Sequence, residues 1–162
     1  AMTARELDRA GKSLDEIIAH LDATRFNYNQ IATVETLSYL KAAGRVKASK
    51  AFFGNLFGVK PLLTSDKNGN NIAFKKAKGR QGSLLEIIQV ALDQAIDPEN
   101  QIIAIAHADD EVAANFVKQE ILKRIKPKGI LILPLGPILG TTCGPGTIMV
   151  YTYGKEKISV GE

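Results

Sequence analysis

The spacing of hydrophobic and polar residues predicts a chain in which strands alternate with amphipathic helices. Residues 101–106 and 130–135 form two short apolar runs, the pattern of strands that are covered on both faces. An amphipathic helix, with Asp109 or Asp110 as its N-cap, lies between these runs. A strand, a helix and a strand in this order predict two adjacent or near-adjacent parallel strands joined by a right-handed crossover.

A β-hairpin is predicted in the middle of the chain. Residues 59–65 and 71–76 have strand-like patterns, and they flank Asn68 and Gly69, a dipeptide typical of tight hairpin turns. Ser83 opens a capping-box pattern, which predicts the start of the next helix. Because the hairpin adds antiparallel strands to the parallel pair, we predict an α/β fold with a mixed sheet flanked by helices.

The first residues of the chain also have a helical pattern. Residues 1–10 fit one helix that Gly11 interrupts, and Ser13 with Glu16 fits a capping box that starts another. A later short helix, stopped by Gly58, carries more apolar residues than one buried stripe needs. These apolar residues are Phe52, Phe53, Leu56 and Phe57. Their spread around the helix indicates that it is buried on two sides, or that it forms a wall shared between the core and a cavity.

Residues 133–149 hold four of the 14 glycines and three of the six prolines of the chain. A loop of this composition lets the backbone approach a ligand or another segment closely, because glycine has no Cβ atom in the way. Thr141, Thr142 and Cys143 are placed at its tip. The pattern is that of a turn between two strands, or of a loop that closes on a ligand.

Composition sets limits on the class of protein. The 162 residues fit one domain, and 45% hydrophobic with 23% charged residues is ordinary for a globular protein. No apolar run approaches the ~20 residues of a membrane span. The single cysteine permits no internal disulfide, so we expect a cytoplasmic location. The net charge of +4 is modest, and no aromatic residues interleave with the basic run 75–80, which argues against nucleic acid.

Candidate chemistry is sparse. Cys143, His107 and Asp109 supply the groups of a thiol catalyst, but their spacing matches no known nucleophile setting. Two histidines and one cysteine, far apart, show no metal-ligand spacing, so no metal site and no cofactor are expected. Arg45 is the best charged candidate, because a guanidinium after Gly44 can hold loop carbonyls or a carboxylate.

Five segments, in order along nearly the whole chain, resemble the DegV family of bacterial fatty-acid-binding proteins. The last of them is close to the family pattern GPvigtHtGPG, and another lies where the family has a basic KxRGR run. The segments are residues 11–17 (GKSLDEI), 34–46 (VETLSYL, then AGRV), 53–63 (FGNLFGVKPLL), 76–80 (KAKGR) and 136–146 (GPILGTTCGPG).

The resemblance implies a carrier rather than an enzyme. Residues 1–24 would lead from a missing N-terminal domain, and residues 25–162 would form the C-terminal lipid-binding domain. In the family, this domain holds the alkyl chain of a long-chain fatty acid, the other domain meets the carboxylate, and a separate fatty-acid kinase phosphorylates the acid. The expected partners are therefore the fatty acid, the kinase, and either the missing domain or a second copy of the chain.

The same resemblance and the patterns above select the site residues. The expected ligand-binding residues are Arg45, Phe52, Phe53, Leu56, Ile138, Thr141 and Thr142. The expected partner-binding residues are Lys78 and Arg80, since they are part of the basic run. We also expect Arg45 to point towards residues 140–146.

Two residues depart from the family pattern. Thr142 stands where the family has a histidine, so the imidazole hydrogen bond to the head-group network is gone or replaced by a hydroxyl. Lys78 replaces the first arginine of the basic run, and Lys and Arg are not equivalent at a bidentate contact. Two other functions stay open at this point: a small enzyme that uses Cys143 or the Gly-Pro loop, and a structural interaction domain.

Overall fold

The computed structural model of the protein describes residues 2–46 and 58–156. Within these residues the chain forms one mixed sheet. Its strands are β1 (Tyr28–Thr33), β2 (Val59–Ser65), β3 (Asn71–Lys78), β4 (Ile102–His107), β5 (Gly129–Pro134) and β6 (Ile148–Tyr153).

Helices precede, connect and cover these strands. None of those in the described ranges is long and apolar enough to cross a membrane. Two short 3₁₀ turns, Arg25–Asn27 and Pro98–Asn100, precede β1 and β4. The α-helices are α1 (Met2–Arg9), α2 (Leu14–Thr24), α3 (Ser38–Ala42), α4 (Gly79–Gln94), α5 (Glu111–Leu122) and α6 (Pro137–Cys143).

The strand order is β3-β2-β1-β6-β4-β5. Strands β4 and β5 are parallel and adjacent, with Ile105 opposite Ile132, which confirms the predicted strand–helix–strand unit. All the other neighbouring pairs are antiparallel. Since β1 and β4 are both antiparallel to β6, the strands β1, β4 and β5 run in one direction. We call the end where these three strands finish the carboxyl end of the sheet, and the opposite end the amino end.

Helices α4 and α5 cover one face of the sheet, which we call the first face. Alternate residues of the central strands point to it, because successive side chains of a strand lie on opposite sides. The hydrophobic effect of burying this layer supplies the main core of the protein. Its members include Ile31, Leu62, Ile103, Ile105, Ile148 and Val150 of the sheet, and Leu84, Ile87, Ile88, Val117 and Ile121 of the helices.

The opposite face, which we call the second face, has a smaller core near the carboxyl end of the sheet. Helix α3 buries Leu40 there and helix α6 buries Cys143. The other residues of this core come from the strands and from the segment between β1 and α3. They are Ala32, Val34, Leu37, Leu63, Ala73, Ala106 and Met149.

Two local predictions are confirmed. The β2–β3 hairpin is present, and the Asp66 carboxylate accepts hydrogen bonds from the backbone N–H groups of Asn68 (2.9 Å) and Asn70 (2.7 Å) in its turn. The capping box of α2 is complete: Ser13 Oγ accepts from Glu16 N at 3.3 Å, and Glu16 Oε2 accepts from Ser13 N at 2.8 Å.

Helix α4 begins five residues earlier than the capping-box pattern predicts, with Lys78 instead of Ser83 at the N-cap position. The chain turns from β3 into the helix at Gly79, which has a left-handed φ of +66°. The Ser83 side chain is buried inside the first turns, and its hydroxyl donates to Arg80 O at 2.7 Å. Ser83 is therefore an interior residue and not a cap.

Strand β5 is covered on one side only, whereas its apolar run predicts that both sides are covered. It is the last strand in the sheet order, and it has no partner strand on its outer side among the described residues. On the second face, Leu131 is 39% exposed and Leu133 is 47% exposed. The apolar run is therefore divided: Ile130 and Ile132 pack against the main core, and the two leucines face outwards.

Candidate functional site

A cavity of about 380 Å³ lies at the carboxyl end of the sheet. The loops that follow β4 and β5 meet there, which is the usual location of ligand sites in open α/β sheets. Its lining is mainly apolar and includes Tyr39, Leu135, Thr141, Gly144 and Pro145. We call it the carboxyl-end cavity.

The Gly-Pro-Gly turn at 144–146 packs against side chains of the β1–α3 region. Gly144 has a φ of +85°, and a Cβ atom added there would lie 2.4 Å from Cδ2 of the Tyr39 ring. Gly146 has a φ of +76°, and a Cβ added there would lie 2.6 Å from Cγ of Glu35. The two glycines therefore serve close packing as well as backbone conformation, as the composition of the loop predicts.

A charged cluster holds the segments around this cavity together. Arg80, at the start of α4, donates through Nη2 to Asp110 Oδ2 at 2.6 Å, and its Nε forms an ion pair with Glu35 Oε1 at 3.1 Å. Asp110 in turn caps α5, because its Oδ1 accepts from Ala113 N at 3.0 Å. Lys60 forms a second ion pair with Glu35.

Arg80 is therefore not freely exposed, although the basic run predicts that it is. Its side chain is only 25% exposed, and two carboxylates neutralise its charge. Lys78 is exposed, as expected. The basic run is evident in the sequence, but the sequence does not show that acidic residues from two distant loops meet at Arg80.

Residues 137–143 form helix α6 where the sequence predicts only a loop or turn. The Thr141 hydroxyl donates to Pro137 O at 2.8 Å, and the Thr142 hydroxyl donates to Ile138 O at 2.7 Å. Both hydroxyl hydrogens are thus used inside the helix. Thr141 lines the carboxyl-end cavity, and the side chain of Ile138 is 82% exposed.

Arg45 does not make the predicted contact with residues 140–146 in the described part of the structure. Its Nη1 donates to Ala43 O at 3.3 Å, and its carbonyl accepts from Asn71 Nδ2 at 2.9 Å. The residue is exposed and lies beside the β2–β3 hairpin. The cause is local: Gly44, at a φ of +63°, turns the chain after α3 towards that hairpin.

A second opening of about 640 Å³, which we call the amino-end groove, lies between the α1–α2 region and the amino end of the sheet. Thr3 of α1 is tied to this end of β1 by a 2.7 Å hydrogen bond between its hydroxyl and that of Tyr28. Polar rim residues include His20 and Lys128. The apolar and aromatic residues of the groove are Tyr28, Ile102, Ala104, Tyr151 and Tyr153.

Cys143 is buried in the core of the second face, and burial raises the pKa of its thiol. Burial, and then the proximity of Cys143, raise the pKa of the Tyr151 phenol. The His107 side chain follows the alternation of Ile103 and Ile105 and so belongs to the first face, where its Nδ1 accepts from Asp110 N at 3.3 Å. The thiol and the imidazole are thus on opposite sides of the sheet, which does not suit a Cys–His pair.

Three predicted ligand residues, Phe52, Phe53 and Leu56, lie outside the described residues. Among the residues that are described, no group of three or more His, Cys, Asp or Glu side chains is placed to hold a metal ion.

A family model described as "Uncharacterised protein, DegV family" matches residues 1–155. The chain belongs to the DegV family. This confirms the resemblance of the five segments, and the mixed α/β sheet is the architecture of DegV proteins of known structure.

Relatives within the DegV family are longer than this chain. A DegV domain-containing protein of Clostridium perfringens is 33% identical over 154 residues, which are 95% of this chain and 53% of the relative. A fatty acid-binding protein of Thermotoga maritima is 27% identical over 150 residues, 91% of this chain and 52% of that protein. The chain spans about half the length of the curated relatives it matches.

A solved DegV structure also matches nearly all of this chain with about half of its own length. The DegV family protein of Thermus thermophilus, described by its fatty-acid binding, is 30% identical to this chain and superposes with a TM-score of 0.84. The match covers 95% of this chain and 55% of that one. The match in structure therefore supports the same fold as the match in sequence.

Two residues that pack against the Gly-Pro-Gly turn are not among the site residues predicted from the sequence. Glu35 and Tyr39 contact the Gly-Pro-Gly turn, although they lie far from it along the chain. Both are within the segment 34–46 that resembles the family pattern. The resemblance of that segment could have drawn attention to Glu35 and Tyr39, but only the fold shows that they contact residues 144–146.

Proposed function

We propose that this chain binds the alkyl chain of a long-chain fatty acid on the second face of its sheet. The observation that carries the proposal is the apolar surface along the outer strands of that face. It is exposed at Leu133 and Leu131 of β5 and at Ile102 of β4. The carboxyl-end cavity lies at one end of these strands, and the amino-end groove lies at the other.

The physical chemistry of this surface suits a hydrocarbon chain. A buried CH₂ group contributes about 0.8 kcal/mol, so about ten of them give ~8 kcal/mol before the costs of binding. Covering the exposed leucines would add to this gain, because apolar patches of this kind on soluble proteins commonly mark binding surfaces. Two relatives described as fatty-acid binding support the same ligand class.

We further propose that the protein acts as a carrier and catalyses no reaction itself. The family resemblance implies a kinase that phosphorylates the bound acid, and a cytoplasmic location fits that role. Lys78 remains the proposed contact to an acidic partner surface, because it is exposed. Arg45, Ile138, Thr141 and Thr142, together with the three apolar residues outside the described ranges, remain proposed ligand-binding residues.

Lipid extraction tests the proposed ligand class directly. The chain is purified from a bacterial host and extracted with organic solvent, and the extract is analysed by mass spectrometry beside a mock purification. We expect long-chain fatty acids in a molar ratio that rises towards one after incubation with added palmitate. A delipidated chain that takes up no palmitate, oleate or other long-chain acid would contradict the proposal and favour a structural interaction domain.

A further inference from the structure

Tyr39 is the aromatic side chain in the lining of the carboxyl-end cavity, and its surroundings differ from those of a core tyrosine. It is 44% exposed, while its neighbour Leu40 is fully buried. One edge of its ring lies over Gly144, where no Cβ separates the two segments. The ring is therefore held by contact with the Gly-Pro-Gly turn on one side and faces open space on the other.

The Tyr39 hydroxyl makes no hydrogen bond with any other described residue. The other hydroxyl in the cavity wall, that of Thr141, already donates to the carbonyl oxygens of Pro137 and Ile138. Thr142 likewise donates to Ile138. Tyr39 is thus the hydroxyl at this site whose hydrogen is still available to a ligand.

One charged group of the cavity acts against an anionic ligand. Asp109 contributes to the wall, and it is exposed, so water screens its charge. A carboxylate bound beside Tyr39 would gain a charge-assisted hydrogen bond and lose a smaller amount through repulsion from Asp109. Tyr39 should therefore strengthen the binding of a carboxylate in this cavity, and Asp109 should weaken it.

We propose that Tyr39 is a specificity-determining residue, whose phenol donates a hydrogen bond to the carboxylate of a fatty acid and so distinguishes the acid from an uncharged lipid of the same length. This inference rests on the proposed function. It places the head group at the carboxyl end of the sheet, and the alkyl chain then runs over Leu133 and Leu131 towards the amino-end groove.

Paired ligands and isosteric variants test the inference. Equilibrium dialysis with radiolabelled palmitate and 1-hexadecanol is carried out on the wild-type chain, Tyr39→Phe and Asp109→Asn. Tyr39→Phe removes only the hydroxyl, and asparagine is tolerated at the left-handed φ of +52° that Asp109 adopts. Two control variants probe the opposite end: Tyr28→Phe removes another exposed phenol, and Lys128→Gln removes the cation of the amino-end groove.

We expect Tyr39→Phe to weaken palmitate binding about tenfold or more, and hexadecanol binding less than about threefold, since hydrogen bonds to charged groups are the stronger ones. Asp109→Asn should tighten palmitate about twofold to fivefold without affecting hexadecanol. The two control variants should change acid and alcohol equally. Loss of palmitate selectivity in Lys128→Gln would overturn the inference by placing the carboxylate at the other end.

The result separates this inference from the proposed function. Equal affinity of wild-type chain and Tyr39→Phe for palmitate would overturn the role of Tyr39 and leave fatty-acid binding in place. A wild-type chain that binds neither ligand would overturn both.

Discussion

The Nη2 atom of Arg80 lies 2.6 Å from the Oδ2 atom of Asp110, so the first turn of α4 is joined to the N-cap of α5. Through its Nε atom, the same guanidinium also holds Glu35, which packs on the Gly-Pro-Gly turn. A single cation therefore connects three segments at the carboxyl end of the sheet. This arrangement explains why an arginine of the basic run is turned inwards.

Arg80→Gln is expected to lower the free energy of unfolding by about 1–2 kcal/mol. The substitution leaves the partly exposed Asp110 carboxylate without its cation and Glu35 with Lys60 alone, which costs less than in a fully buried pair but more than at the surface. Urea denaturation followed by circular dichroism measures the change. The exposed neighbour variant Lys78→Gln is the control and should shift the free energy by less than about 0.5 kcal/mol; equal effects of the two variants would show that the cluster is not a clamp.

Gly146→Ala is expected to destabilise the protein by about 2 kcal/mol or more. Alanine is strained at a φ of +76°, and its Cβ would lie 2.6 Å from Glu35 Cγ. Gly82→Ala is the matched control, because it lies inside α4 with open space around it and should raise stability by about 0.5–1 kcal/mol. Thermal unfolding of both variants should show shifts of opposite sign, and a harmless Gly146→Ala would contradict the packing described for the turn.

The Glu16 carboxyl should titrate with a pKa of about 2. Its hydrogen bond with Lys12 is the main cause, followed by the backbone hydrogen bond from Ser13, and together they lower the pKa from 4.5. Because the folded-state pKa is lowered, the stabilisation of α2 is present above about pH 4.5 and is lost as the pH falls towards 2. NMR titration of the side-chain carboxyl carbon checks this, and a midpoint near 4.5 would mean that neither the Lys12 hydrogen bond nor the capping box persists in solution.

Cys143 should react slowly with thiol reagents in the folded protein. Burial raises the pKa of its thiol, so the reactive thiolate is scarce at neutral pH. Because the chain has one cysteine, labelling with 5,5′-dithiobis(2-nitrobenzoate) reports on this site alone. At pH 8 we expect a rate at least about tenfold lower than in 6 M guanidinium, and rapid labelling of the native chain would instead reopen the thiol-enzyme hypothesis.

Local patterns were enough to predict most of the fold. The apolar runs around α5 predicted β4, β5 and their parallel pairing, and the Asn-Gly dipeptide predicted the β2–β3 hairpin. Strand order is a tertiary property, so the exposure of Leu131 and Leu133 at the end of the sheet was not visible. A strand has the same apolar sequence pattern whether one of its two sides is covered by a core or lies open at the surface.

The candidate site was less predictable, because it depends on contacts between distant segments. The sequence indicated that residues 144–146 would pack closely against something, but not that Glu35 and Tyr39 were the partners. The charge of Arg80 was evident, while its pairing with Asp110 requires α4 and α5 to lie side by side. Arg45 was misplaced for a different, local reason: the sequence shows that Gly44 ends α3, but not that it turns the chain towards the β2–β3 hairpin.

Isothermal titration of the purified chain with palmitate tests the central claim most directly, when Leu133→Gln is compared with Leu122→Gln. The two leucines are similarly exposed, at 47% and 43%, but Leu133 is on the second face of β5 and Leu122 is at the end of α5. We predict that palmitate binds the wild-type chain and Leu122→Gln alike, and Leu133→Gln about fivefold or more weakly, since a polar amide replaces apolar contact area. Undiminished palmitate binding by Leu133→Gln, or equal weakening by both variants, would contradict an alkyl chain lying on the second face.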